Sequence, residues 1–203
     1  MAVMPMFPLG MVLLPGMVLP LHVFEPRYQQ LVRDCLDAPP HEFGVVLIDR
    51  GSEVGGGDTR SDVGVIARIL QVAPLEGNRF ALVAVGTRRV RVAEWLADDP
   101  YPRADVDDWP DADDTCPVER VTAALGRARS CAGLAVELGD RVMVPEGELT
   151  GDPSADTFLL ASIGPFGPVD QYAILCAAGP SRRLDLIDEL LDGVEAGLRF
   201  RLG

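Results

Sequence analysis

Residues 1–28 read MAVMPMFPLGMVLLPGMVLPLHVFEPRY, and no aspartate, glutamate, arginine or lysine precedes Glu25. A membrane-spanning helix needs roughly 20 apolar residues, and by count alone this stretch supplies them. Its punctuation excludes that use. Pro5, Pro8, Pro15 and Pro20 recur every few residues with Gly10 and Gly16 between them, and each proline deletes an amide donor and clashes with the preceding helical turn. A secretory leader carries positive charge ahead of its apolar core, whereas the first arginine here is Arg27. The stretch therefore reads as folded, untargeted sequence, and a cytoplasmic location is expected.

The chain as a whole has room for a buried core: it is 203 residues long and 48% apolar. Its net charge of -13 is unevenly spread, with nine acids against Arg103 alone between Asp98 and Glu119. Such a field repels phosphate, so neither nucleic acid nor an anionic membrane is an expected partner. The acidic run itself reads as a solvated connector, and without the glycine and terminal glutamate of a calcium loop it carries little metal specificity. All 18 basic residues are arginine. Without lysine there is no Walker A phosphate loop, no Schiff-base chemistry and no serine-lysine dyad. Cys35, Cys116, Cys131 and Cys176 are far apart with no CxxC pair, so reduced, mostly buried thiols are expected rather than a zinc site or a disulfide scaffold. No cofactor and no metal is expected. One sharper alternative places Cys35 as a nucleophile with His22 or His41 as its base, although no orienting motif surrounds them.

Along the chain, EPRYQQLVRDCLD carries Tyr28, Leu31, Val32, Cys35 and Leu36 at helical spacing, with Pro26 suited to the first turn and Pro39-Pro40 ending the helix. The continuous apolar run Phe43 to Ile48 predicts a buried strand. The loop around Gly55 to Gly57 lacks both the GxGxxG spacing and a P-loop lysine, so it reads as a hairpin connection. VGVIARILQVAPL and RFALVAVGTRRVRVAEWL, separated by Glu76, Gly77 and Asn78, predict a long antiparallel hairpin. In its second strand Arg89 and Arg91 alternate with Val90 and Val92 and are assigned to the wet face. YPRADVDDWPD is expected to supply the last strand. From Val118 onward the pattern turns helical, with segments at 118–138, 152–164 and 169–179 and an amphipathic helix to the end of the chain. A β-rich part followed by a helical part is an α+β arrangement.

FPLGMVLLPGMVLPLHVFEPRY, FGVVLI, DVGVIARILQV, RFALVAVGTRRVRV and PYPRADV, in that order, resemble the N-terminal domain of the ATP-dependent Lon proteases in a stand-alone form. The spacing of FPL, LPG, LPL and FEPRY is the specific part. A more distant similarity is to the Lon-like module of cereblon. YAILCAAGPSRRLDLIDELL looks like the helical extension that follows the β part in that family. Gly64-Val65 stands where Gly-Thr is usual, and the loop at Gly55 to Gly57 is unusually rich in glycine. The resemblance implies a twisted β-sheet or pseudo-barrel domain with one short helix over residues 1–112, followed by a helical bundle over 113–203. In it the uncharged opening is laid down as a first strand and a proline-pinned turn.

The resemblance also implies a recognition module that carries neither the ATPase nor the protease part of Lon. Its expected partners are unfolded or exposed polypeptide segments. Met4, Met6, Met11 and Met17 are candidates for that contact because methionine repacks against varied partners. Arg27 is a candidate for a peptide carboxylate, with Tyr28 beside it. The competing assignments are core filling for the methionines, and for Glu25, Arg27 and Tyr28 a structural tie between the helix start and neighbouring strands. A module that recognises one folded partner, through the helical half, is the alternative function. No catalytic residue is assigned.

Overall fold

The computed structural model describes residues 2–51, 59–140 and 147–202, and the chain divides into two compact units, Met1–Pro110 and Asp111–Gly203. The glycine-rich loop at Gly55 to Gly57 lies outside the described residues.

The first unit holds strands β1 (Ala2–Leu9), β2 (Val18–Val23), β3 (Glu42–Arg50), β4 (Thr59–Pro74), β5 (Phe80–Trp95) and β6 (Arg103–Asp108), with helix α1 (Pro26–Asp37) between β2 and β3. The strand order is β2-β5-β4-β3-β1-β6, and β6 also pairs with β5. That second pairing bends the sheet into a closed ring of β1, β3, β4, β5 and β6. β1 changes partners along its length: Ala2 to Pro5 run antiparallel to β6, and Met6 to Leu9 run parallel to β3. Inside the ring, Met6, Val46, Ile66, Val90, Ala104 and Val106 form one buried cluster to which every ring strand contributes. Full burial of a side chain of this size is worth about 1.5–3 kcal/mol. Gly44 leaves the space that the Met6 thioether fills.

The sequence assigns the opening stretch one strand and a turn; the structure adds β2. Between β1 and β2, Leu14 to Met17 make a tight turn in which the Met17 amide donates to the Leu14 carbonyl at 3.0 Å, with Pro15 second and Gly16 third at φ 82°. Only glycine adopts that third position without strain. The turn is strapped to β5 at Gly86. The Gly16 amide donates to the Gly86 carbonyl at 2.8 Å, and the Gly86 amide donates to the Met17 carbonyl at 2.9 Å. A Cβ on Gly86 would overlap the Leu14 carbonyl oxygen.

α1 follows its expected pattern. Pro26 occupies its first turn, and Tyr28, Leu31, Val32 and Cys35 form its buried face. Tyr28 stacks on Phe7 of β1 with ring centroids 4.0 Å apart and an interplanar angle of 12°, and Phe7 in turn meets Phe43 of β3 at 6.1 Å. Trp95 packs against the core cluster, with the Arg60 guanidinium 4.9 Å from its ring centroid.

Two assignments are corrected. The alternation puts Arg89 on a wet face, but it is only 4% exposed. Trp109 lies 4.4 Å from its guanidinium and 3.7 Å from that of Arg91, and it donates its backbone amide to the Arg89 carbonyl at 2.9 Å. The alternation is right, and an indole from beyond the strand covers the outer face. The acidic run is likewise no plain connector. Asp98 binds Arg60, Asp108 binds Arg88, Asp111 binds Arg183, and Asp114 accepts the Ser181 amide.

The second unit consists of α2 (Val118–Glu137), α3 (Pro153–Ile163), α4 (Pro168–Leu175) and α5 (Pro180–Leu202). α3 starts as its sequence predicts: Asp152 caps it by accepting the Ser154 amide at 3.0 Å, and Pro153 opens the first turn. α2 and α5 run side by side in the same direction, since Arg120 meets Asp185 and Asp188 while Arg127 meets Asp188, Asp192 and Glu195. Arg183 is fully buried, stacked on Phe158 at 3.5 Å, and donates to Asp111 at 2.6 Å and to the Thr157 hydroxyl at 2.8 Å.

Glu42, at the start of β3, ties the ring together from outside the core. Its side chain is 3% exposed; it accepts from Arg68 of β4 at 2.9 and 3.1 Å and from Arg88 of β5 at 2.8 Å, and Arg88 also reaches Asp108 of β6 at 2.9 Å. Burial pushes the Glu42 carboxyl up, but the hydrogen bonds and charges of Arg88 and Arg68 outweigh that effect and hold it below the usual carboxylate range. A depressed folded pKa means the contribution is present above the unfolded carboxylate value of about 4.3 and is lost as pH falls through the folded one. Glu42→Gln should therefore cost about 1–3 kcal/mol at neutral pH, with the gap to the parent closing below about pH 4; urea unfolding at a series of pH values measures it. Gly86→Val should cost about 1–3 kcal/mol in the same assay through overpacking against the Leu14 carbonyl.

Candidate functional site

The residues singled out in the sequence do not gather into one site. Met6 is completely buried in the ring, and Met4 packs on the same cluster. Met11 and Met17 are half-buried in the segment joining β1 to β2. Tyr28 is 3% exposed. Arg27 lies 4.5 Å above the Tyr28 ring and donates to Glu25 at 3.1 Å, so the cation, the phenol ring and Phe7 make one stack that seats the start of α1. Each such contact is worth about 0.5–1.5 kcal/mol. Arg27 and Tyr28 thus have internal partners, and Met6 offers no surface to a ligand.

Nor is the thiol pair assembled. Cys35 is buried, its thiol directed at the Glu42 carbonyl at 3.4 Å, and burial, helped by Asp34, pushes it up to about 12. His41 donates its Nδ1–H to the Cys35 backbone carbonyl at 2.9 Å, a contact that does not involve the sulfur. His22 stands exposed on β2.

The apolar concavity of the first unit lies elsewhere, at the far end of the β4–β5 hairpin. A groove of about 480 Å³ is lined by Leu36 from α1, Leu70, Val72 and Pro74 from β4, and Phe80 from β5, with His41 at its side. The volume falls within the roughly 300–1,000 Å³ typical of ligand pockets. A bulge makes it: Ile69 pairs with Ala84 and Gln71 with Val83, so Leu70 is the extra residue of β4 and stands 60% exposed. Phe80 is held under the Arg33 guanidinium at 5.5 Å. Its lining contains neither an acid nor an arginine; Phe24, next in sequence to the Val23 that pairs with Phe80, is 52% exposed at the β2–α1 junction. Sequence reading missed it because ARILQVAPL looks like an uninterrupted strand, and only the adjacent pair Ile69-Leu70 breaks its alternation.

Among the described residues no group of three or more histidine, cysteine or acidic side chains is placed to hold a metal ion. No helix of the described residues is long and apolar enough to cross a membrane.

Comparison with known proteins converges on one family. Residues 3–193 match the ATP-dependent protease La (LON) substrate-binding domain. A Lon protease of Anaeromyxobacter dehalogenans is 30% identical over 204 residues, covering 99% of this chain and 22% of that protein, so the chain spans under a quarter of its relative. The crystal structure of a Lon N-terminal domain protein from Xanthomonas campestris superposes with a TM-score of 0.68 at 28% identity, over 91% of this chain and 96% of the other. The N-terminal domain of the Mycobacterium avium complex Lon protease shares the fold, with a TM-score of 0.63 at 18% identity over 94% and 98% of the two chains. A ring-closed sheet with its strapped FPL–LPG–LPL opening, a helical second unit and a family match across nearly the whole length lead to one assignment: the chain belongs to the Lon substrate-binding domain family.

Proposed function

We propose that this chain is a non-catalytic, cytoplasmic module that binds exposed apolar polypeptide segments, with the groove at the end of the β4–β5 hairpin as its contact surface. The observation that carries the proposal is the groove itself, a mostly apolar concavity within the residues that match the family. Leu70 in its lining and Phe24 elsewhere on the same unit stand open to water, and an apolar segment laid over such side chains would remove that surface from solvent at about 25 cal/mol per Å². Met11 and Met17, half-buried in the segment joining β1 to β2, are the adaptable residues through which a ligand would be met. The net charge of -13 favours neutral or basic segments and disfavours nucleic acid.

A second possibility is an adaptor for one folded partner, favoured by Phe200 and Val169 of the helical unit, which are 89% and 79% exposed. Fluorescence polarisation against unstructured peptides, apolar and charged, at two salt concentrations separates the two. Micromolar binding that follows apolar content and resists salt is expected. Leu70→Asp should weaken it at least about tenfold, or 1.4 kcal/mol, without lowering the melting temperature, because Leu70 supports no core. Binding that tracks charge and vanishes with salt, or no binding to any peptide, would overturn the proposal and direct attention to a single folded partner.

A further inference from the structure

Ring closure uses up most of the sheet's edges, and β2 is left out of it. Among the described residues β1, β3, β4, β5 and β6 each have neighbours on both sides, whereas β2 pairs with β5 alone. β4 also loses its β3 partner beyond Arg68, but there the Leu70 bulge breaks the edge and Pro74 ends it. The β2–β5 register runs from Val18 opposite Val85 to Val23 opposite Phe80 without a shift. β2 is therefore a regular edge, without a bulge.

The hydrogen-bonding phase of that edge follows from the strap at Gly86. In an antiparallel pair, residues alternately direct their backbone groups toward and away from the partner strand. Gly86 donates to the Met17 carbonyl, so Met17, Leu19, Leu21 and Val23 face β5, and Val18, Pro20 and His22 face outward. Pro20 fits this phase, since a residue without an amide proton costs the ladder nothing only on the outward side. Val18 and His22 thus present both N–H and C=O, and Pro20 its C=O, at strand spacing.

Sheet edges in soluble proteins are commonly blunted with charges, bulges or proline. β2 has a single proline, no bulge and no charged side chain except what His22 can carry. Apolar residues stand at both ends instead, Val18 at 53% and Phe24 at 52% exposure. The last pair, Val23 opposite Phe80, joins the edge to the groove that Phe80 lines.

Resting on the polypeptide-binding proposal above, we propose that the ligand is held as an added β-strand on the outer edge of β2. The occupant is an extended, neutral or basic segment with apolar side chains at alternate positions. Its amides on one side donate to the Val18, Pro20 and His22 carbonyls, and its carbonyls accept from Val18 and His22. Affinity then comes largely from main-chain bonds and is tolerant of sequence, while Val18, Phe24 and the groove select for apolar side chains.

The test uses a fluorescein-labelled ten-residue peptide alternating valine with threonine, with lysine at each end. It is compared with two copies N-methylated on one or the other alternate set of residues. Methylating the set that faces β2 should weaken binding at least about tenfold, the value of a single net hydrogen bond, while the other set binds as the parent does. His22→Pro removes one outward donor without touching the β5 ladder. It should weaken binding by about tenfold at an unchanged melting temperature, and His22→Ala should not. If both methylated peptides bind like the parent, side chains in the groove hold the ligand: the strand is excluded and the polypeptide-binding proposal stands. If no peptide binds, both fall. If the protein alone sediments as a dimer that His22→Pro converts to monomer, the edge belongs to a second copy and the proposal is overturned.

Discussion

β5 carries two partners on one side, and the first unit depends on how it divides between them. Residues Phe80 to Val85 pair with β2, and Val90 to Trp95 pair with β6. Because β6 also pairs with β1, the second half of β5 closes the ring that encloses Met6, Val46, Ile66 and Val90. The change of partner falls at Gly86, where the Leu14–Met17 turn crosses against the strand. Thr87 next to it is an extra residue of β5, and its hydroxyl donates to the Ile66 carbonyl at 2.9 Å. One absent side chain and one bulge thus let a single strand serve both a ring and a free-edged sheet.

A similar economy governs the charges. In a chain of net charge -13 without lysine, arginine's planar fork does all the cationic work, and it serves several partners at once. Arg88 spans Glu42 and Asp108, and Arg127 spans three acids of α5. Exposed pairs of this kind contribute little singly. The carboxylate of Glu42 differs because it is buried, so its two arginines prevent the cost of an unpaired charge. Asp98 and Asp108 pair with Arg60 and Arg88 of the first unit, and Asp111 and Asp114 bond Arg183 and the Ser181 amide of the second, which is why a run that looks like a solvated linker is instead part of both units.

Much of the fold is legible in the sequence because its signals are local. Pro26 and the Tyr28, Leu31, Val32, Cys35 face announce α1, Asp152-Pro153 announces α3, and the long β4–β5 hairpin follows from its two β-branched runs. What stays hidden depends on partners distant in the chain. Nothing near Arg89 shows that Trp109 will cover it, and nothing in LPLHV shows that the strand will have one neighbour. The surroundings of the candidate residues are less legible. Met6 and Tyr28 are apolar for the sake of the core, whereas the groove owes its shape to a one-residue bulge at Leu70 that the strand pattern only hints at.

Function, on this account, follows from the place where closure stops. A ring that satisfied every strand would leave the surface nothing to offer an unfolded chain except side chains; β2 leaves main-chain groups beside an apolar groove. The most direct measurement is residue-resolved amide hydrogen exchange on the free protein and on the protein saturated with the alternating valine–threonine peptide. In the free protein the Leu19, Leu21 and Val23 amides should be protected by β5, and those of Val18 and His22 should exchange quickly. On binding, Val18 and His22 should become protected as well. If the peptide binds and those two amides exchange as before, the ligand is not on the β2 edge and the account is wrong at its centre.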